Sequence, residues 1–143
     1  MFKNREVKKT YLAIVKGHPT KTGRIDFPVG RHLSKRHMMS HLSPLGKEAL
    51  TYFDVLKYYD DYSVVAVHIV TGRKHQIRVH FAAIGHGLIG DNMYGFLSKD
   101  IDRPALHAWK ISFDYKDQTF NYIKPVPKDF QRLLMKLNKE FKK

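Results

Sequence analysis

Short runs of β-forming residues dominate the first half of the chain. Residues 7–17 (VKKTYLAIVKG) predict a strand, because Tyr11 to Val15 is an apolar run that Gly17 and Pro19 stop. Ile25 to Val29 predict a second short strand, ended by Pro28 and Gly30. Residues 30–47, with Gly30, Pro44 and Gly46, read as a polar loop. Residues 48–59 carry two periods at once. Ala49, Tyr52, Phe53 and Leu56 fit a helix, whereas Thr51, Tyr52, Phe53, Val55 and Tyr58 fit a strand. The Asp60-Asp61 turn and the β-branched run Tyr62–Val70 favour a hairpin.

The pattern then changes. Thr71-Gly72 breaks the strand, and Ile77, Phe81 and Ile84 recur at helical spacing over residues 75–84, with Gly85 as a natural end. Residues 86–95 hold three glycines and predict a tight, structured loop. Leu106, Ala108, Ile111 and Phe113 predict a strand over 106–113, with Thr119–Ile123 as its hairpin partner. After Pro125 and Pro127, the stripe Phe130, Leu133, Leu134 and Leu137 predicts an amphipathic helix over 128–141. Asp129 stands early in it and lysines late, as the helix dipole favours. No repeat, low-complexity tract or linker interrupts the chain. The class is α+β: a mostly antiparallel mixed sheet with few helices, in one domain over 1–143.

Composition narrows the function. The 143 residues carry 26 Lys/Arg against 13 Asp/Glu, a formal charge of +13. Such a surplus favours polyanionic partners, since each neutralised phosphate releases counterions. The surplus is uneven: net +8 over residues 1–50, zero over 51–100 and +5 over 101–143. The lysines at 136, 139, 142 and 143 read as a solvated helix face. Arg31, Lys35, Arg36, His37 and His41 instead crowd one loop without an acidic complement, the kind of loop from which nucleic-acid grooves are built. There is no cysteine, which excludes disulfide scaffolds, cysteine–zinc ribbons, iron–sulfur clusters and thiol catalysis. No apolar run approaches the roughly 18 residues of a membrane span, and the opening residues lack the apolar core of a signal peptide. The expectation is a cytoplasmic chain with no membrane partner.

The stretch that carries chemistry is TGRKHQIRVHFAAIGHGLIGDNMYG, residues 71–95. Arg73, Lys74, His75 and Arg78 crowd a glycine turn and the first turn of a helix, where backbone N–H groups already attract anions. His75 and Arg78, three apart, share one helix face and can address one ligand. Arg78 adjoins the apolar stripe, so its guanidinium needs a carboxylate or phosphate. That partner is either a functional anion or a structural acid such as Asp91. The nine histidines lack metal-ligand spacing: His75 and His80 are five apart, and no H-E-x-x-H occurs. His80, His86 and His107 read as packing or capping residues. No G-x-S-x-G marks a hydrolase nucleophile. Trp109 and the pairs Tyr52-Phe53 and Tyr58-Tyr59 read as core and strand residues.

The run Thr71-Gly72-Arg73-Lys74-His75-Gln76-Ile77-Arg78-Val79-His80, followed by Gly85-His86, Gly90-Asp91 and Tyr94-Gly95, resembles the C-terminal signature of RNA pseudouridine synthases of the RluA type. Lys9-Thr10-Tyr11-Leu12-Ala13 resembles that family's K-x-Y-x-A strand, and Leu106-His107-Ala108 its L-H-A strand, followed by the P-x-P segment and a final helix. The resemblance implies isomerisation of uridine to pseudouridine in ribosomal or transfer RNA, without metal or organic cofactor. The base is flipped out, detached from C1′ of the ribose, turned, and rejoined through C5. Arg78 matches the arginine that ion-pairs with the family's aspartate nucleophile. Tyr11 matches the aromatic residue that stacks on the flipped base and is proposed to help remove the proton from C5. Ile77 matches an apolar neighbour lining the base pocket. His75, Arg73, Lys74 and Lys9, with Arg31, Lys35 and Arg36, are the expected substrate contacts, since a flipped base wants an aromatic face and a phosphate backbone wants basic loops.

The family's aspartate lies in an H-R-L-D-x-x-T-S-G motif upstream of the K-x-Y strand, and these 143 residues contain no such motif. Phe2–Glu6 resembles the end of a family helix. The expectation is therefore a partial catalytic domain, inactive alone, in which Arg78 lacks its carboxylate partner. Its uncovered surface is expected to drive self-association. A non-catalytic RNA-binding module, or a complementation partner for a separate N-terminal half, is the alternative.

Overall fold

The computed structural model describes residues 8–35 and 37–141; the Phe2–Glu6 segment and Arg36 lie outside the described residues. Ten elements follow in order: β1 (Lys8–Lys16), β2 (Thr22–Ile25), β3 (Gly30–Arg31), β4 (Met39–Ser40), β5 (Thr51–Tyr58), β6 (Tyr62–Ile69), α1 (Gln76–Ala83), β7 (Leu106–Tyr115), β8 (Gln118–Ile123) and α2 (Lys128–Phe141). Six strands form one sheet in the order β2-β5-β6-β1-β7-β8, and each of its ladders is antiparallel. The α+β class holds. β3 and β4 form a separate two-stranded hairpin inside the basic loop.

Side-chain alternation explains how the sheet is covered. Tyr11, Ala13 and Val15 of β1 point to one face, where they join Phe53, Val55, Val65 and Val67 beneath Ile77 and Phe81 of α1. Leu12 and Ile14 point to the other face, where Phe130, Leu133 and Leu137 of α2 cover them. The two central strands β1 and β6 are thus buried on both sides. β5 alternates strictly, with Thr51, Phe53 and Val55 buried and Tyr52 and Leu56 exposed. Arg103 fastens the start of α2 by a two-pronged pair with Asp129, at 2.8 and 2.9 Å. No helix among the described residues is long and apolar enough to cross a membrane.

Two expectations are corrected. The second strand lies at Thr22–Ile25, ahead of the expected Ile25–Val29. Gly23 pairs with Phe53 and Arg24 with Tyr52, so the β5 edge recruits the polar residues before Ile25. Residues 26–28 leave the ladder, as Pro28 requires. Tyr52, read as a core residue, is 41% exposed, because it alternates to the face of β5 opposite Phe53 and Val55, away from the cluster beneath α1. Trp109 is the extra residue where the β1–β7 register shifts, and it packs against the α2 cluster.

Candidate active site

The segment after β6 is held by a chain of polar contacts that accounts for much of its sequence. Gln76, buried at the first position of α1, donates from Nε2 to the Leu50 carbonyl (3.0 Å) and the Thr51 hydroxyl (2.9 Å). Its Oε1 accepts from the Thr71 hydroxyl (2.7 Å) and the Arg73 N–H (3.1 Å). Thr71 in turn accepts from the Leu50 N–H at 3.0 Å. The Thr51 hydroxyl donates onward to Nδ1 of fully buried His80 (2.9 Å), whose Nε2–H donates to the Phe27 carbonyl (2.7 Å). Every polar atom in this knot is satisfied, so the turn between β6 and α1 is rigid. The turn leaves His75 in the left-handed region, φ 58°, at the helix N-cap.

Arg78 is fixed from two sides. Its Nε and Nη2 donate to the two oxygens of Asp91 at 2.8 and 2.9 Å, and its guanidinium lies 5.0 Å from the centre of the Tyr94 ring. Of the two partners left open for Arg78, a functional anion or a structural acid, the structure shows the structural acid Asp91. Asp91 is fully buried, and its Oδ1 also accepts the Met93 and Tyr94 N–H groups, both at 3.1 Å. Burial pushes the Asp91 carboxyl up, but the guanidinium and the two N–H groups outweigh it and hold the carboxyl below its ordinary value. The hydrogen bond to Asp91 raises the guanidinium in turn. Asp91 is aimed by the glycine loop. Gly90 stands at φ +81° with its N–H on the Phe96 carbonyl, and the Gly95 N–H closes on the Asp91 carbonyl.

Tyr94 gathers three segments. Its hydroxyl accepts the Met39 N–H of β4 at 2.8 Å and is hydrogen-bonded to Nδ1 of His75 at 2.8 Å, while its ring faces Arg78. His75 and Arg78 therefore do converge, through a tyrosine that residue spacing alone did not single out. The β3–β4 hairpin, carrying exposed Arg31 and Lys35, is tied to the same point, since Met39 and Tyr94 pack together against Val29, Ala49 and Val79. Burial lowers the His75 pKa, as do neighbouring Arg78 and Lys74, so the ring is neutral at pH 7.

The other expected residues are more dispersed. Tyr11 is half-buried and meets the same apolar cluster as Ile77, so it occupies the sheet face on which α1 lies. Ile77 itself is buried in that cluster. Lys74 and Lys9 are exposed. Arg73 turns away to donate from Nε to the Glu48 carbonyl at 2.8 Å. His86 and His107 bond the carbonyls of Lys16 and Lys124, in keeping with structural roles.

The polar knot gives a pH dependence. Burial lowers the His80 pKa, and that of His75 moves the same way, so the unfolded chain takes up these protons first as pH falls. Their contribution to stability is complete above about pH 6.5 and declines below it as the lower folded-state values are approached. Asp91 and Asp129 have lowered values, so their contribution is lost only at more acid pH, below the ordinary carboxylate range. The melting temperature is expected to fall between pH 7.5 and 5.5, and to fall less in His80→Gln. An equal fall in that variant would place the effect elsewhere.

Comparison with known proteins identifies the family. The RNA pseudouridylate synthase family model matches residues 1–83. Ribosomal large subunit pseudouridine synthase D of Vibrio cholerae is 36% identical over 154 residues, covering 96% of this chain and 47% of that protein. The solved structure of human RNA pseudouridylate synthase domain containing 1 is similar with a TM-score of 0.75 and 31% identity, over 86% of this chain and 56% of that one. The human protein with domain number 4 gives the same TM-score at 23% identity, covering 94% of this chain and 63% of its own, and supports the fold alone. The chain belongs to the RNA pseudouridine synthase family, RluA type. It spans about half the length of the curated relatives it matches.

Proposed function

We propose that this chain supplies the arginine- and tyrosine-bearing part of a site that isomerises uridine to pseudouridine in RNA. Ribosomal RNA is the favoured substrate, by similarity to relatives named for the large ribosomal subunit. The C1′–N1 bond of the uridine breaks, the base turns, a C1′–C5 bond forms, and the proton on C5 is exchanged for one on N1. The carboxylate that assists this step comes from outside these 143 residues, which hold no H-R-L-D segment.

The observation that carries the reading is the half-used fork of Arg78. A guanidinium has five N–H donors. Asp91 takes one on Nε and one on Nη2, and Nη1 makes no hydrogen bond among the described residues. A second carboxylate can therefore dock on the Nη1 side of a cation that Asp91 and Tyr94 already hold still. A fixed cation favours the ionised form of that carboxylate. Tyr11 supplies the aromatic face for the flipped base, and Arg31, Lys35, Arg36, Lys74 and Lys9 contact phosphates.

Tritium release from RNA containing 5-tritiated uridine tests this. The chain alone should release none. Release should appear when the half of the Vibrio cholerae relative that this chain does not match is added, and should drop by about 100-fold or more with Arg78→Lys, which keeps charge but loses the fork. Release by the chain alone would place the nucleophile among these residues. RNA binding with no release in the presence of the added half would favour the non-catalytic RNA-binding module.

A further inference from the structure

α1 covers β5, β6 and β1, and on the same face the sheet continues past it onto β7 and β8. There the antiparallel register sets Lys9 opposite Ile111, Ile111 opposite Tyr122, and Phe113 opposite Phe120. The rings of Phe113 and Phe120 stack at 5.4 Å and 20°, and Phe113 and Tyr122 at 5.9 Å and 21°. Tyr122 is 57% exposed. Beside this ladder lies a cavity of about 500 Å³, bordered by Tyr11, Ile111 and Tyr122 and by Lys9 and Lys124, whereas the Lys110 ammonium lies 3.9 Å from the centre of the Trp109 ring, toward the α2 cluster. None of its lining residues is acidic. Tyr11 forms one wall, so the cavity adjoins the residue proposed to stack on the flipped base.

We propose that this cavity binds a nucleotide of single-stranded RNA adjoining the target uridine, with its base on Tyr122 and its phosphate between Lys9 and Lys124. This rests on the proposed function, and it assigns a second base platform that the family signature does not contain. Two features argue for RNA over a protein partner. An apolar protein interface depletes lysine at its centre, whereas Lys9 and Lys124 rim this pocket. Exposed aromatic faces within a cationic groove are what single strands use, since every base has a π-face. The volume suits one base and its sugar, within the range of small-ligand sites.

The test is binding of the 143-residue chain to a fluorescent 12-nucleotide uridine-rich RNA, followed by anisotropy. Tyr122→Ala should weaken binding about tenfold, Tyr122→Phe by less than twofold, and Lys124→Gln should flatten the salt dependence. Tyr122 is surface-exposed, and unchanged melting of the variants confirms their fold. Arg31→Gln with Lys35→Gln serves as the reference. If that pair weakens binding and the Tyr122 and Lys124 variants do not, the second platform is wrong and the proposed function stands. If the parent chain binds no RNA, the platform is likewise wrong, and tritium release alone judges the function. If Tyr122→Ala leaves RNA binding intact but turns a sedimenting dimer into a monomer, the face belongs to a second copy of the chain and the proposal is overturned.

Discussion

Asp91→Ala is expected to lower the unfolding free energy by about 3 kcal/mol, read from the shift of a urea transition at constant slope. Three losses combine. The guanidinium of Arg78 keeps its half-buried place without a counter-charge, its side chain being only 17% exposed. The Met93 and Tyr94 N–H groups lose their shared acceptor. The Tyr94 ring loses a partner that was held over it. Asp91→Asn preserves shape and both N–H contacts, so it should cost less. Arg78→Met with Asp91→Leu should recover much of the loss, because a buried pair replaced by apolar groups is often neutral. A shift below about 1 kcal/mol for Asp91→Ala would mean that water readily replaces the carboxylate.

Gly90→Ala should be equally damaging, at about 3 kcal/mol, and for a separable reason. Gly90 has φ +81°, and a Cβ there would stand 2.1 Å from the Arg103 carbonyl oxygen, which is backbone and cannot rotate aside. Gly85 shares the left-handed conformation, φ +84°, yet a Cβ would meet nothing within 4 Å. Gly85→Ala should therefore cost only the conformational penalty, about 1 kcal/mol. The pair divides strain from collision by thermal or urea unfolding. Equal losses at both positions would show that the loop moves to make room at Gly90. Gly90→Ala should also displace Asp91, so the added-half assay should lose more activity than folding alone explains.

Much of the scaffold was legible because most of its elements obey one period, and where residues 48–59 carry two, the turn and strand that follow decide between them. The β5–β6 hairpin follows from the Asp60-Asp61 turn and a β-branched run, and α1 and α2 follow from Ile77/Phe81 and Phe130/Leu133/Leu137, which do pack on opposite faces of the sheet. β2 was misplaced because hydrophobicity points at Ile25–Val29 whereas pairing is a property of the neighbouring edge, and β5 selects Thr22–Ile25. The β3–β4 hairpin is only two residues per strand, too short for any alternation to mark. In the site, Arg78 was visible from its position beside the apolar stripe, and Asp91 was one of two open partners for it. Tyr94 was not visible as a junction. Its three contacts come from Met39 of β4, His75 at the α1 turn and Arg78 within α1, which lie far from Tyr94 in sequence and meet it only when folded.

That junction has a mechanical consequence. One phenol fastens the backbone of the basic β3–β4 arm to the ring that carries Arg78, so the arm cannot swing freely. Any pull on Met39 must either snap a single 2.8 Å contact or drag the ring from beneath Arg78. Movement of the basic arm and the orientation of the Arg78 guanidinium are therefore not independent events in this protein.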